Sequence, residues 1–422
     1  MPQKNLKNEF YKMYHLTAVK ILRRCLTLLF GGDIISMPQF CYGKNNKGLK
    51  FMLRKFCVEN YKGFEGRLEF DLSNIHDYRF HSEAVENGIS KKSLVFGRNG
   101  SGKSNLGSAI MDLTRHLTDK LWNPDLGPFR NMNRLSKPAL FSYTFQFGDD
   151  IIEYTYEKDS PIALKYEELK VNGARWLFCA YGLNSSSYEI NIPGAETLDM
   201  ATYRGTMSLT KFIYSRDAYE TNGAFHKFMN FVDNMLSFRC LRSNEFQGFK
   251  TTPNFFADII IEHGKEKSLK ALENYLAENG LIYKLEIKQD QDRNHNEIFA
   301  KFGNQSIPLH KIWSTGTQAL VLFFCWSLEF NNISFLFLDE FDAFYHYELS
   351  EKVLEIINQN LNFQSIVTTH NCSLMSNDLT RPDCCYIISN NQTIKNLTQC
   401  TTREIREAHN LENLYKNNAF AE

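Results

Sequence analysis

The stretch Gly97-Arg98-Asn99-Gly100-Ser101-Gly102-Lys103-Ser104 limits what this chain can fold into more than any other. It follows the apolar run Ser93-Leu94-Val95-Phe96 and opens an amphipathic stretch from Lys103 to about Asp119. That order predicts strand, glycine-rich turn and helix start, the setting in which G-x-x-x-x-G-K-[ST] means a phosphate cradle. Gly97, Gly100 and Gly102 let the backbone close on an anion without Cβ clashes. Successive N–H groups along Arg98, Asn99 and Ser101 then point inward, and the following helix offers its positive end to the same phosphates. Lys103 would reach the β- and γ-phosphates, and the Ser104 hydroxyl would ligate Mg²⁺. A glycine-rich turn without ligand is the plainer alternative; the full pattern in this context predicts a bound nucleoside triphosphate.

Three further motifs fit that reading. Phe335-Leu336-Phe337-Leu338-Asp339-Glu340 is an apolar strand ending in two carboxylates. Asp339 suits a metal held at the carboxyl edge of a sheet, and Glu340 suits a base that orients attacking water. In Ile312–Leu320, Ser314 and Gly316 precede a helix, where Ser314 can cap it and free N–H groups can meet a second anion. In Ser365–Asn371 a β-branched strand ends in His370, placed to sense a γ-phosphate. Each has a bland counterpart: solvated acids, a plain cap, a structural histidine.

Around these motifs the pattern is α/β. Met52–Leu72 alternates as two strands about Lys62-Gly63, and residues 75–92 read as a polar loop. Residues 139–192 alternate as an antiparallel layer, followed by a strand at Lys211–Tyr214. Helices are predicted over Gly223–Phe238, Pro253–His263 and Lys265–Ala277, then strands at Leu281–Lys288 and Glu297–Phe302. From Trp313 helix and strand alternate to a last helix at Thr402–Tyr415. The division expected is 1–51, a basic extension; 52–138, the first half of a nucleotide-binding domain; 139–310, antiparallel strands and a helical insertion; and 311–422, the second half.

Formal net charge is zero, yet residues 1–51 carry +7, so the body is slightly acidic and offers no conspicuous basic face. The extension reads as floppy or partly helical, with a brief apolar run at Cys25–Phe30, and Met52 would serve as an alternative first residue. No apolar run approaches the ~20 residues that span a bilayer, so a soluble, cytoplasmic protein without a membrane partner is expected. The ten cysteines include no C-x-x-C and read as buried thiols.

The four motifs in this order resemble the ABC-type ATPases of the RecF, SMC and OLD class, and within it the bacterial AAA-domain ATP-binding proteins of phage-defence loci. The resemblance runs from about Met52 to Phe420. It implies an α/β P-loop NTPase of ABC type: a mixed sheet, an antiparallel β layer and an inserted helical subdomain. It implies ATP and Mg²⁺ as cofactors, with Gly97–Ser104 as Walker A and Asp339-Glu340 ending Walker B. Ser314–Gln318 would be the signature, Asp342–His346 the D-loop region and His370 the switch histidine. Asn60 and Tyr61, with Phe64, match the segment that lies near the adenine, and Gln146 is a weak candidate for the lid glutamine. Two heads would sandwich two ATPs and hydrolyse them, driving a separate effector, a nuclease or toxin, or acting in DNA maintenance, with DNA a candidate partner. The alternative is the nucleotide-binding subunit of an ABC transporter. A GTPase is disfavoured by the lack of N-K-x-D, and a built-in nuclease by the roughly fifty residues after His370.

Overall fold

The computed structural model describes residues 51–120, 127–182, 186–239, 246–250, 256–290 and 295–420. The N-terminal extension therefore lies outside the described residues, apart from Phe51. In chain order the elements begin with β1 (Phe51–Glu59), β2 (Leu68–Asp71), β3 (Val85–Glu86), β4 (Ile89–Ser90), β5 (Lys92–Phe96) and α1 (Lys103–Leu117). Next come β6 (Ala139–Phe147), β7 (Asp150–Lys158), β8 (Leu164–Val171), β9 (Ala174–Tyr181), β10 (Ser186–Ile190), α2 (Leu209–Ser215) and α3 (Ala224–Asp233). The middle continues with β11 (Met235–Arg239), β12 (Phe246–Gly248), α4 (Phe256–Glu262), α5 (Lys265–Glu278), β13 (Leu285–Asp290), β14 (His295–Phe302) and β15 (Gln305–Pro308). The chain closes with α6 (Thr315–Ser327), β16 (Phe335–Asp339), α7 (Tyr347–Gln359), β17 (Gln364–Thr369), β18 (Cys385–Ile388), β19 (Ile394–Asn396) and α8 (Leu411–Lys416).

Two seven-stranded sheets organise these elements. One is antiparallel, in the order β10-β9-β8-β7-β6-β1-β2. Its strand β6 buries every second residue, Ala139, Phe141, Tyr143, Phe145 and Phe147, as a sheet with one covered face requires. The other runs β12-β11-β16-β17-β5-β18-β19, with β11, β16, β17, β5 and β18 parallel and an antiparallel strand at each edge. Its central strands β5, β16 and β17 are buried along their whole length, the pattern of a sheet covered on both faces. A three-stranded sheet β13-β14-β15 lies beside α4 and α5. Helix α1 joins the large sheets: Leu106, Ala109, Ile110 and Leu113 share a core with Phe141, Tyr143 and Phe145 on one side and Phe335 and Phe337 on the other. Each such apolar side chain contributes about 1.5–3 kcal/mol on burial. The closest approach is at Gly107, where an added Cβ would lie 2.2 Å from the Phe337 ring.

Three predicted elements differ. Lys211–Tyr214 is not a strand but lies inside α2: Ser208 caps it by accepting from the Lys211 N–H, and Leu209, Phe212 and Ile213 bury one helical face. The helix predicted over Gly223–Phe238 ends at Asp233, after which Met235–Arg239 enters the sheet beside β16. The last helix is confined to Leu411–Lys416, capped by Asn410, because residues 402–409 are mostly exposed and bury only Ile405. The strand β15 was not foreseen. Part of the predicted helix Pro253–His263 falls outside the described residues; the rest is α4.

Candidate active site

Strand order brings the motifs together. β17 lies between β5 and β16, so the carboxyl ends of three adjacent parallel strands deliver Gly97, His370 and Asp339-Glu340 to one edge. This is the edge at which open α/β sheets bind ligands. A cavity of about 720 Å³ opens there, lined by Asn99, Gly100, Gly102, Lys103, Ser104, Asn105, Glu340, Asp342, Ala343, His370 and Asn371.

Gly100 and Gly102 hold left-handed backbone, φ +78° and +103°. At Gly102 an added Cβ would also meet the Phe64 ring at 2.8 Å, so both sterics and dihedral call for glycine. Helix α1 starts at Lys103 without a side-chain cap, which leaves its first N–H groups to the loop side. The Ser101 hydroxyl is buried without a partner among the described residues. The Lys103 ammonium donates to the carbonyls of Gly97 (2.8 Å) and Arg98 (3.2 Å) and to His370 Nδ1 (3.1 Å). Burial lowers its pKa, against the pull of Glu340, Asp339 and Asp342. A cradle of glycines, an uncapped helix start and an ammonium suit a triphosphate, and the Ser104 hydroxyl and Asp339 carboxylate are oxygen donors suited to its Mg²⁺.

The acids are pinned by the neighbouring strand. Thr368 Oγ1 donates to Asp339 Oδ1 (2.7 Å) and accepts from the Glu340 N–H (2.8 Å). That clamp holds Glu340 at φ +47°, a backbone region that costs a non-glycine residue about 1–3 kcal/mol. Thr369 Oγ1 donates to Asp342 Oδ2 (2.7 Å), while burial raises the Asp342 carboxyl above its ordinary range. Glu340 Oε1 lies 3.4 Å from His370 Nε2. With Nδ1 accepting from Lys103, the imidazole proton sits on Nε2 and faces the carboxylate. Burial favours the neutral Glu340 acid, and Arg239 together with His370 outweighs it, so the carboxyl sits below its usual range.

Arg239, at the end of β11, lies one residue past the helix predicted over Gly223–Phe238 and was not singled out. Its Nη2 donates to Glu340 Oε2 at 2.9 Å and its Nε lies 3.1 Å from Asp339 Oδ2. Asn105 was likewise not foreseen and lines the cavity beside motif residues; Ala343, within the Asp342–His346 segment, lines it too.

Other expected site residues lie elsewhere. Gly97 and Arg98 border a second cavity with Ile388 and Phe420, and Asp339 is buried behind the first. Asn60 and Tyr61 are turned inward, 1% and 4% exposed. The Asn60 amide donates to the carbonyls of Arg134, Lys137 and Pro138, and the Tyr61 ring packs edge-on against Phe129 and Phe141. Neither side chain is free to touch an adenine, so any contact of this segment with one would fall to its backbone. Gln146 donates to Gly148 O at a hairpin and is absent from the cavity wall. Ser314 caps α6 by accepting from the Thr317 N–H, and neither it nor Gly316 lines the cavity of its own chain.

Residues 249–376 match the family described as "AAA domain, putative AbiEii toxin, Type IV TA system", a stretch that holds the Ser314 motif, Asp339-Glu340 and His370 but not Gly97–Ser104. That stretch therefore resembles an AAA domain, and the chain as a whole is α/β with a parallel sheet that carries a glycine-rich loop. No curated protein matches the sequence. Among solved structures it is similar to the SMC head bound to the C-winged helix domain of ScpA, at 18% identity over 82% of this chain and 98% of that one, TM-score 0.42. The SMC head domain from Thermotoga maritima matches at 14% identity, over 79% and 94% of the two chains, TM-score 0.37. The recombination mediator RecF with ATP matches at 13%, over 81% and 98%, TM-score 0.37. These likenesses are loose; the fold of this chain rests on its own strand order and loop geometry. Among the described residues no helix is long and apolar enough to cross a membrane.

Proposed function

We propose that this chain binds ATP with Mg²⁺ at Gly97–Ser104 and hydrolyses it to ADP and phosphate between two heads, the resulting change of shape acting on a separate effector. The observation that carries the reading is the convergence of Lys103, Glu340 and His370 on one cavity at the carboxyl edge of the parallel sheet. Lys103 and the loop N–H groups hold the phosphates, and Ser104 and Asp339 hold the cation. When bound, Mg²⁺ supplies charge neutralisation at the β- and γ-oxygens. Glu340 orients a water and accepts its proton, and His370, between Lys103 and Glu340, holds the carboxylate and faces the terminal phosphate. Ser314 and Gly316, outside their own cavity, serve the ATP of a partner copy. The family description and the sequence resemblance support an effector of nuclease or toxin type in a cytoplasmic defence or DNA-maintenance system.

Glu340→Gln tests this reading. The amide keeps the size of the side chain but cannot take the proton, so turnover falls by about 10² or more. ATP affinity persists, and the variant accumulates as a dimer in ATP by light scattering. Normal turnover by this variant would remove Glu340 from its assigned role.

A further inference from the structure

Both acids that the proposed reaction needs are already neutralised from within the chain. Asp339 has one oxygen held by Thr368 and the other 3.1 Å from Arg239 Nε. Glu340 has one oxygen facing His370 and the other accepting from Arg239 Nη2 at 2.9 Å. The register explains the aim: β11 runs parallel to β16 with Arg239 level with Asp339, so the guanidinium hangs over the same edge of the sheet. The backbone at this end is fixed by the ladder, and the side chain is 36% exposed although its Nε is buried. A guanidinium presents several donors in a planar fork and keeps its charge at any physiological pH, so it can satisfy two carboxylates at once.

We propose that Arg239 is a built-in counter-ion that keeps a divalent cation off Asp339 and Glu340 until a nucleoside triphosphate brings one. The proposal rests on the nucleotide reading above and adds a regulation of the same site. In the nucleotide-free head Arg239 occupies the field of both carboxylates. A cation arriving alone must displace it while only two carboxylates and the Ser104 hydroxyl offer ligands. A cation arriving on a triphosphate brings phosphate oxygens of its own, and those same oxygens give the released guanidinium a new partner. The exchange frees Glu340 for water at the moment substrate is present, so the acid is held out of use while the cavity lacks ATP. Without the arginine, two adjacent acids would hold cation in the absence of substrate.

The test is Mn²⁺ binding, followed by electron paramagnetic resonance on nucleotide-free full-length protein at fixed pH and ionic strength. Removing a positive charge about 3 Å from both acids, Arg239→Ala should bind Mn²⁺ about tenfold more tightly than wild type, or more. Arg239→Gln, which keeps polarity without charge, should show the same gain, and Arg239→Lys should stay near wild type. Adding Asp339→Asn to Arg239→Ala should erase the gain. With ATP present, wild type and Arg239→Ala should converge. Equal nucleotide-free affinity in wild type and both neutral variants overturns the proposal, as does a gain that survives Asp339→Asn. Melting curves show that each variant is folded, and three substitutions guard against one that is not. A fluorescent ATP analogue, titrated into the same samples, separates the two readings. Wild-type protein that fails to bind it overturns the nucleotide reading and the convergence step, while the nucleotide-free comparison still decides the counter-ion.

Discussion

Lys103 and Glu340 lie on opposite sides of one imidazole. His370 accepts from the Lys103 ammonium at 3.1 Å through Nδ1 and faces the Glu340 carboxylate at 3.4 Å through Nε2. Its ring therefore sets the distance between the group proposed to hold phosphate and the group proposed to handle water. A side chain in that position should matter more to the chemical step than to binding. His370→Ala is expected to lower kcat by about 10-fold to 100-fold while KM for ATP changes by less than about threefold. A steady-state titration of ATP decides it, since a loss confined to KM would make His370 a binding residue alone. These residues could be read from sequence because each sits within a contiguous motif whose spacing already specifies strand end, turn or cap. Arg239 could not: it acts through a strand pairing between segments a hundred residues apart, and no local pattern announces that. The side chains of Asn60 and Tyr61 were misread for the opposite reason. A local pattern placed them near the nucleotide, and tertiary packing claimed both side chains first.

The helix after the phosphate loop is tied to the antiparallel sheet by polar groups as well as by its apolar face. Asp112 pairs with Lys158 at 2.6 Å and accepts from the Tyr156 hydroxyl at 2.9 Å, all buried. One turn on, His116 meets the Tyr154 hydroxyl at 2.8 Å, and Tyr154 donates to Glu167, itself fully buried. Glu167 also accepts from Tyr181, from Ser208 and Thr210, and from the backbone N–H groups that open α2. Burial first, and Lys158 next, push the His116 imidazole down to about 4, against the pull of Glu167 and Asp112. Burial raises the Glu167 acid, but His116, Tyr154 and Tyr181 outweigh it and hold the carboxyl at about 2. Both shifts favour the fold at neutral pH. The folded chain keeps His116 neutral where the unfolded chain, with a pKa near 6.5, takes up a proton. Stability is therefore full above pH 6.5 and falls as pH drops toward 4, by up to about 1.4 kcal/mol per unit from this group. Glu167 adds its own loss only below about 4.5. Urea midpoints between pH 4.5 and 6.5 should thus fall in wild type and fall less in His116→Gln; parallel curves would contradict the assignment. Alternating strands such as β6 were legible from their period, and α1 from its motif. The strand β11 was not, because Phe231, Val232, Met235 and Phe238 prolong the helical spacing of α3 past its true end at Asp233. What turns the chain there is a C-cap at Asn234, whose side chain reaches back to the Asn230 carbonyl, and the empty place beside β16 in the ladder.

Within one chain the two anion-suited helix starts serve different ends. The start of α1 is uncapped and faces the cavity; that of α6 is closed by Ser314 and lies outside it. The second start is nevertheless linked to the acids, because Gly316 abuts the Phe344 carbonyl and Tyr345 donates to Ala319 O at 2.9 Å. The segment proposed to meet phosphate on a partner copy thus touches the segment that follows Glu340 in its own chain. Turnover divided between copies in this way has a consequence that a single-chain site cannot imitate. Lys103→Ala removes the proposed phosphate ligand and Ser314→Arg fills the proposed signature with bulk, so either variant alone should be inactive. In a dimer of one copy of each, Gly97–Ser104 of the Ser314→Arg chain faces the untouched signature of the Lys103→Ala chain, and that site is whole. With two-fold symmetry and random exchange, half the dimers are mixed and each has one working site of two. Mixing equal amounts should therefore restore about a quarter of wild-type turnover. Activity that stays at the level of the separate variants, in a mixture shown by native mass spectrometry to contain mixed dimers, would place the whole reaction within one chain and leave Ser314 as a helix cap.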